Sequence, residues 1–303
     1  MPQITQPQSP ERILALLVAL FMTPITCAAN FVFVTASSVE FNQPHDLTLD
    51  NSGTYLYVAD MNNDSVKVLD PQNLKVLGEF GNGELSSPHD VEFDAEGRLI
   101  VADSGNHRLV IYTLNGLVAS KTTVLTNEMR SPEGVAASQN GDLYIANTGG
   151  HDVVHFRGAT ENKAFNKTGK AGRGENEFIR PHDLEIWGER LYVTDPGNNR
   201  IKILTLDFHI EQILGGSPYD FNEPKYLALD EQGWLYVADQ YNNRIQVFAA
   251  YPSHHELLAS ISTYSIDGKK YILNKPEGVE VHGKYIWIAD TYHNRILLYK
   301  RSD

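Results

Sequence analysis

From about residue 41 onward the chain is written in short runs in which apolar and polar positions alternate, the period-2 signature of β-strands with one face toward a core. Leu47-Thr48-Leu49 is such a run, and Tyr55 to Asp60, Leu99 to Asp103, Leu143 to Asn147, Leu191 to Asp195, Leu235 to Asp239 and Tyr285 to Asp290 are strands ending on an acid or its amide. Glycines punctuate these runs at corresponding places, Gly53, Gly97, Gly141, Gly188, Gly233 and Gly283, where a hairpin turn is expected. The runs therefore predict antiparallel strands joined by tight turns.

The same unit recurs six times, each copy opening on proline: Pro44-His45-Asp46, Pro88-His89-Asp90, Pro132-Glu133-Gly134, Pro181-His182-Asp183, Pro224-Lys225-Tyr226 and Pro276-Glu277-Gly278. The mean spacing is about 46 residues, in the range of propeller blades. After the second strand comes a polar loop, best seen in Asp239-Gln240-Tyr241-Asn242-Asn243-Arg244 and Asp290-Thr291-Tyr292-His293-Asn294-Arg295, and then a third strand such as Ile245 to Phe248. With a looser fourth segment, each unit makes four antiparallel strands. The predicted fold is all-β, a six-bladed β-propeller in which each blade buries both faces against its neighbours. The last unit ends after its third strand near Tyr299, and Phe31 to Ala36 precede the first proline without a blade of their own. That stretch is expected to close the ring as the outer strand of blade six.

The repeats resemble the NHL family, whose unit has a Pro-x-Gly opening, a Val-Ala-Asp strand and a Gly-Asn-His-Arg-like loop. Gly105-Asn106-His107-Arg108 is the nearest copy of that loop, and the resemblance runs over roughly residues 41 to 300. Blades one and three carry Ser65 and Asp152 where the family has arginine.

The first 29 residues read differently. Arg12 precedes the apolar run Ile13 to Met22, Thr23-Pro24 breaks it, and the small residues Cys27-Ala28-Ala29 follow, the layout of a signal peptide cleaved near Ala29. The run is too short for a membrane-spanning helix, so the chain is expected to be secreted or periplasmic, as a single propeller over residues 30–303. An uncleaved anchor and a lipoprotein attached at Cys27 are the alternatives. Cys27 is the sole cysteine, so cleavage would leave no thiol for a disulfide, a nucleophile or a metal. The formal charge of -13 argues against nucleic acid and anionic lipid as partners, since binding to either starts with Lys and Arg displacing counterions. One basic stretch stands out, Lys163, Lys167, Lys170, Arg173 and Arg180 between blades three and four, read as a solvated loop able to contact a partner.

Candidate chemistry gathers at one face. The start of the first strand and the loop between strands two and three share that face, and the residue after each proline should stand at the mouth of the central channel. Around the ring this position reads His45, His89, Glu133, His182, Lys225 and Glu277. Neutral imidazoles and a carboxylate are the ligand set of zinc, manganese or iron, so His45, His89, Glu133 and His182 are the candidate metal ligands. Blades one and four lie opposite each other, which suits an octahedral ion on the axis better than a tetrahedral one. Asp46, Asp90 and Asp183 would orient the imidazoles or bind a harder ion such as calcium, and Lys225 and Glu277 are candidate ligand-binding residues. A polar lining of a solvated channel is the other reading of the same ring.

The Pro-His positions also resemble those of peptidyl-α-hydroxyglycine amidating lyases, propellers with zinc-binding histidines and a catalytic tyrosine in an Asp-x-Tyr-like loop. The resemblance implies His45, His89 and His182 as ligands and Tyr241 or Tyr292 as base. Arg108, Arg200, Arg244 and Arg295 recur at one loop place in four blades and are read as structural partners of the loop aspartate or of backbone carbonyls. Two functions remain open: an exported recognition propeller binding a protein, peptide or small-molecule ligand over the channel-mouth face, and a metal-dependent lyase or hydrolase using the channel histidines.

Overall fold

The computed structural model describes residues 29–160, 162–250 and 254–302. The leader and Cys27 lie outside the described residues, save Ala29. Those described form six four-stranded antiparallel sheets and one separate hairpin. The innermost strands are Pro44–Leu49, Pro88–Phe93, Pro132–Ala137, Leu184–Trp187, Pro224–Leu229 and Val279–His282. The ring closes as the pattern predicted: Asn30–Ala36 pairs antiparallel with Arg295–Ser302 and completes the sheet of blade six.

Second strands such as Leu56–Asp60, Leu99–Asp103, Leu143–Asn147 and Leu235–Asp239 are buried at every position. Alternation along such a strand does not divide core from solvent; it divides one neighbouring blade from the other. The core is accordingly a set of wedges between blades. Leu47, Leu56 and Val58 of blade one pack with Trp287, Ala289 and Ile296 of blade six, and Phe31 and Phe33 of the closing strand pack on the wedge between blades five and six. Each such buried side chain contributes about 1.5–3 kcal/mol, and the wedge exists only when both blades are present. Among the described residues no helix is long and apolar enough to cross a membrane.

Polar latches set the top of each blade. The residue before every opening proline is left-handed, and its N–H donates to the side chain of a left-handed loop residue of the preceding blade: Gln43 to Asn294, Ser87 to Asp64, Ser131 to His107, Arg180 to His151, Glu223 to Asn199 and Lys275 to Asn243, at 2.7–3.1 Å. A buried acid at the end of the second strand, in every blade but the third, accepts the N–H two residues before the proline, as Asp103 does from Ser86 at 2.6 Å. Three of the loop arginines hold that acid, Arg108 to Asp103, Arg200 to Asp195 and Arg244 to Asp239, at 2.6–2.7 Å. This is the structural role expected of them.

The blades that depart from the pattern compensate. In blade one Lys67 reaches Asp60 at 3.0 Å in place of an arginine. In blade three, where Asp152 stands at the arginine position, the buried acid is replaced by Asn147, whose amide donates to Asp152 at 2.6 Å. In blade six Asp290 takes the Tyr264 hydroxyl at 2.6 Å and His293 at 2.8 Å, and Arg295 lies over the Tyr271 ring. Tyr264 and Tyr271 belong to the hairpin Thr263–Ile266 and Lys269–Ile272, an insertion between blades five and six that the repeat pattern does not predict.

Candidate functional site at the channel mouth

The proline openings bring the predicted residues together in one buried layer. His45 and His89 meet edge to face with centroids 4.6 Å apart, and His182 lies 6.2 Å from His89. Carboxyl groups of neighbouring blades face them: Glu277 Oε2 is 3.1 Å from His45 Nε2, and Glu133 is 3.1 Å from His182 Nε2 and 3.9 Å from His89 Nε2. Lys225 stands on the same ring, 3.9 Å from Glu223. Glycines 134 and 278 let the inner strands approach this closely, since a Cβ at Gly278 would stand 2.3 Å from the His45 carbonyl oxygen.

Protonation follows from the partners. Burial, reinforced by the nearby Lys225 charge, lowers His45 to about 4. Burial likewise holds His89 and His182 below the ordinary imidazole value, so all three rings are neutral at pH 7. His45 Nδ1 lies 3.0 Å from the Gln43 carbonyl and His89 Nδ1 2.8 Å from that of Ser87, so Nδ1 carries the hydrogen and Nε2 the lone pair. Burial raises Glu277, and Gln240 donates to its Oε1 at 2.5 Å. Glu277 Oε2 thus lies 3.1 Å from the lone pair of His45 Nε2, an arrangement that a proton on the carboxyl would satisfy. His182 is the opposite tautomer: Nε2–H faces Glu133, and Nδ1 is buried without a partner.

Tyr226 is a residue that the reading of channel positions missed. It stands two places after Pro224, where the other blades have Asp or Gly, and is almost fully buried. From blade five it crosses the channel and donates its hydroxyl to the His89 carbonyl at 2.8 Å and to that of Glu133 at 3.3 Å. His182 packs edge-on against its ring, with centroids 4.8 Å apart. A single bulky residue in a column of small ones was the available signal.

Asp46, Asp90 and Asp183 do not take the imidazoles as partners. Their Oδ2 atoms face the N–H groups of Val91, Val135 and Leu227 on the next blade, at 3.5, 2.7 and 2.8 Å, clasping inner strand to inner strand. Two residues further on, the ring reads Thr48, Glu92, Ala136, Glu185, Ala228 and Glu280, with glutamate in alternate blades. The three aspartates and three glutamates line one cavity of about 20 Å³, room for about one water, and among the described residues no lysine, arginine or histidine lines it. Burial pushes Glu185 up to about 7, and burial together with Glu185 pushes Glu280 up to about 8. Glu92 and the aspartates are raised for the same reasons, burial first and like charge second.

Tyr241 and Tyr292 are exposed on the same face and make no hydrogen bond to the imidazole layer; their rings flank Lys275. In the basic stretch, Lys167 pairs with Glu128, Lys170 with Glu177 and Arg180 with Glu223, so much of its charge is answered within the chain. As a metal site the mouth has suitable donors, because a carbonyl on Nδ1 aims the Nε2 lone pairs of His45 and His89 inward. Among the described residues, however, no three His, Cys, Asp or Glu side chains stand close enough to hold one ion. Glu277 and Glu133 occupy the Nε2 atoms of His45 and His182, and a metal would have to displace them.

Comparison with known proteins agrees with the architecture. The family model of the NHL repeat matches residues 85–112, 129–156 and 221–248, and that of the LVIVD repeat matches residues 49–70. NHL repeat-containing protein 3 of Mus musculus is 38% identical over 137 residues, which are 42% of this chain and 38% of the mouse protein, so the match spans well under two thirds of that relative. A streptogramin B lyase superposes with a TM-score of 0.62 at 13% identity over 90% of this chain and 97% of its own. An auxiliary nutrient binding protein from Bacteroides ovatus superposes with a TM-score of 0.67 at 14% identity over 91% and 78%. At these identities the structures share the fold, whereas the repeats carry the kinship. With six blades of one sequence unit closed by its N-terminal strand, and NHL repeats matched in blades two, three and five, the chain is a six-bladed β-propeller that carries NHL repeats.

Proposed function

We propose that the protein is a recognition propeller that binds a protein, peptide or small-molecule ligand over the face carrying the channel mouth, and that it works outside the cytoplasm, where a leader at residues 1–29 would direct it. The observation that carries this reading is the closure of the channel just beneath the mouth. Tyr226 spans it, and the imidazoles and carboxyls are engaged with one another, so the face offers a rigid, preformed surface. The fold serves a binding protein and a lyase among its structural neighbours, and so does not choose between the two functions.

A second reading, a metal-dependent lyase or hydrolase, is favoured by the carbonyl-anchored Nδ1 atoms of His45 and His89 and by the unpartnered Nδ1 of His182. Zinc, manganese or iron held there would act as a Lewis acid and lower the pKa of a bound water. The residues would hold the ion through Nε2 of His45 and His89, with Glu133 and His182 beside them, and Lys225 would supply the nearest positive charge.

Elemental analysis of the purified protein by plasma mass spectrometry, before and after dialysis against a chelator, separates the readings. Roughly one zinc, manganese or iron per chain, lost when His45, His89 and His182 are replaced, would put the lyase reading first. A protein that carries no metal and takes up none when it is added leaves the recognition reading. In either case His89→Ala should fold, because the ring depends on the blade wedges rather than on this side chain.

A further inference from the structure

Lys275 occupies the left-handed position just before Pro276, with its N–H held by Asn243 at 2.8 Å. Its ammonium lies 4.9 Å from the centroid of the Tyr241 ring and 4.7 Å from that of Tyr292. The backbone beneath each ring is anchored, because Tyr241 N–H donates to Asn222 O at 3.1 Å and Tyr292 N–H to Asn274 O at 3.2 Å. Yet the side chains are 49% and 41% exposed. Two adjacent blades thus hold one cation between two open aromatic surfaces.

Among the described residues no carboxylate forms an ion pair with Lys275, whereas Arg180, at the same position in blade four, pairs with Glu223 at 2.7 Å. Aromatic faces attract an ammonium through their quadrupoles, but they neutralise no charge and leave its N–H groups unfilled. Pinning a long lysine between two rings also removes the rotamer freedom that an anion would otherwise have to arrest. On a chain of net charge -13 an unpaired, immobilised cation is a local focus for anions.

We propose that Tyr241, Lys275 and Tyr292 form a subsite for an anionic group, carboxylate or phosphate, borne on an apolar or aromatic body. The anion takes the open side of the ammonium, and the body lies against the exposed rings. Lys225, further in at the mouth, adds a second positive charge on the same side of the ring. The proposal rests on the reading of this face as the ligand-binding face, and it names what that face selects.

The test is a set of NMR titrations of the isotope-labelled protein with 3-phenylpropionate, phenyl phosphate and the neutral 3-phenylpropanamide. The acids should shift the signals of Lys275, Tyr241 and Tyr292 saturably, at about millimolar concentration, and the amide should bind about tenfold more weakly. The stronger of the two acids identifies the preferred anion. Lys275→Met should erase the difference between acid and amide, while Lys275→Arg should keep it. Equal binding of amide and acid overturns anion recognition. Shifts confined to other parts of the mouth overturn the subsite and leave the binding face standing, and the absence of saturable shifts anywhere on this face overturns both.

Discussion

The central channel holds two layers of buried titratable groups that differ in one respect. At the mouth, imidazoles face carboxyls, so that a base stands opposite an acid able to share a proton with it, as in the His45–Glu277 contact. Below it, Asp46, Asp90, Asp183, Glu92, Glu185 and Glu280 face only one another across a small cavity. There, ionisation is opposed by burial and by like charge, and the layer stays neutral only by holding protons. Consecutive residues such as His45-Asp46 thus enter opposite electrostatic regimes because a strand turns successive side chains to different neighbours.

The largest effect should come from breaching the boundary between the layers. Tyr226→Ala leaves a void and orphans two carbonyls, and it should cost about 3–5 kcal/mol in urea unfolding, while Tyr226→Phe, which keeps the volume, should cost about 1 kcal/mol. Equal losses for the two variants would show that the ring does not fill the channel.

Next in size is the pH dependence of stability. A carboxyl whose folded pKa lies above its unfolded value binds an extra proton in the folded state, so its contribution is whole below the ordinary value of 4.5 and is lost as pH rises to the folded value. For Glu280, at about 8, that loss is roughly 5 kcal/mol spread between pH 4.5 and 8, and Glu185, at about 7, adds to it. His45 acts the other way: its contribution is present above the ordinary value of 6.5 and is lost as pH falls to about 4. The protein should therefore be most stable in mildly acidic solution and weaken toward pH 8.5, and Glu280→Gln should flatten the alkaline side. Unfolding midpoints that do not change between pH 5 and 8.5 would contradict a protonated lower layer.

The smallest effect tests the mouth. Glu277→Gln should change stability by no more than about 0.5 kcal/mol, since an amide can donate to His45 Nε2 and accept from Gln240 just as a neutral carboxyl does, whereas Glu277→Leu should cost about 1–3 kcal/mol. A heavy penalty for the glutamine variant would mean that the carboxylate there is ionised.

Much of this molecule was written in repetition. Six proline openings, six hairpin glycines and an orphan N-terminal strand sufficed for the blades, their order and the ring closure, because each wedge of core is made by neighbours of the same kind. The loop arginines were legible as structural for the same reason: a residue repeated around a ring is doing the work of the ring. The ring of residues after each proline was also legible, and so was its convergence at the mouth. What the sequence left undecided was which atoms face which. Whether His45 meets a metal, Asp46 or Glu277 depends on blade tilt and rotamer, quantities that no local pattern encodes.

Tertiary structure alone turned Asp46, Asp90 and Asp183 away from the imidazoles and toward backbone N–H groups, laid Tyr226 across the axis, and set glutamates from alternate blades around one cavity. It also placed Lys275 between two tyrosines from different blades. Strand period and spacing act within a blade and so are read along the chain; the chemistry of the channel arises where six blades converge, between residues far apart in sequence, such as Tyr226 and His89, 137 positions apart, and is decided only when the ring closes.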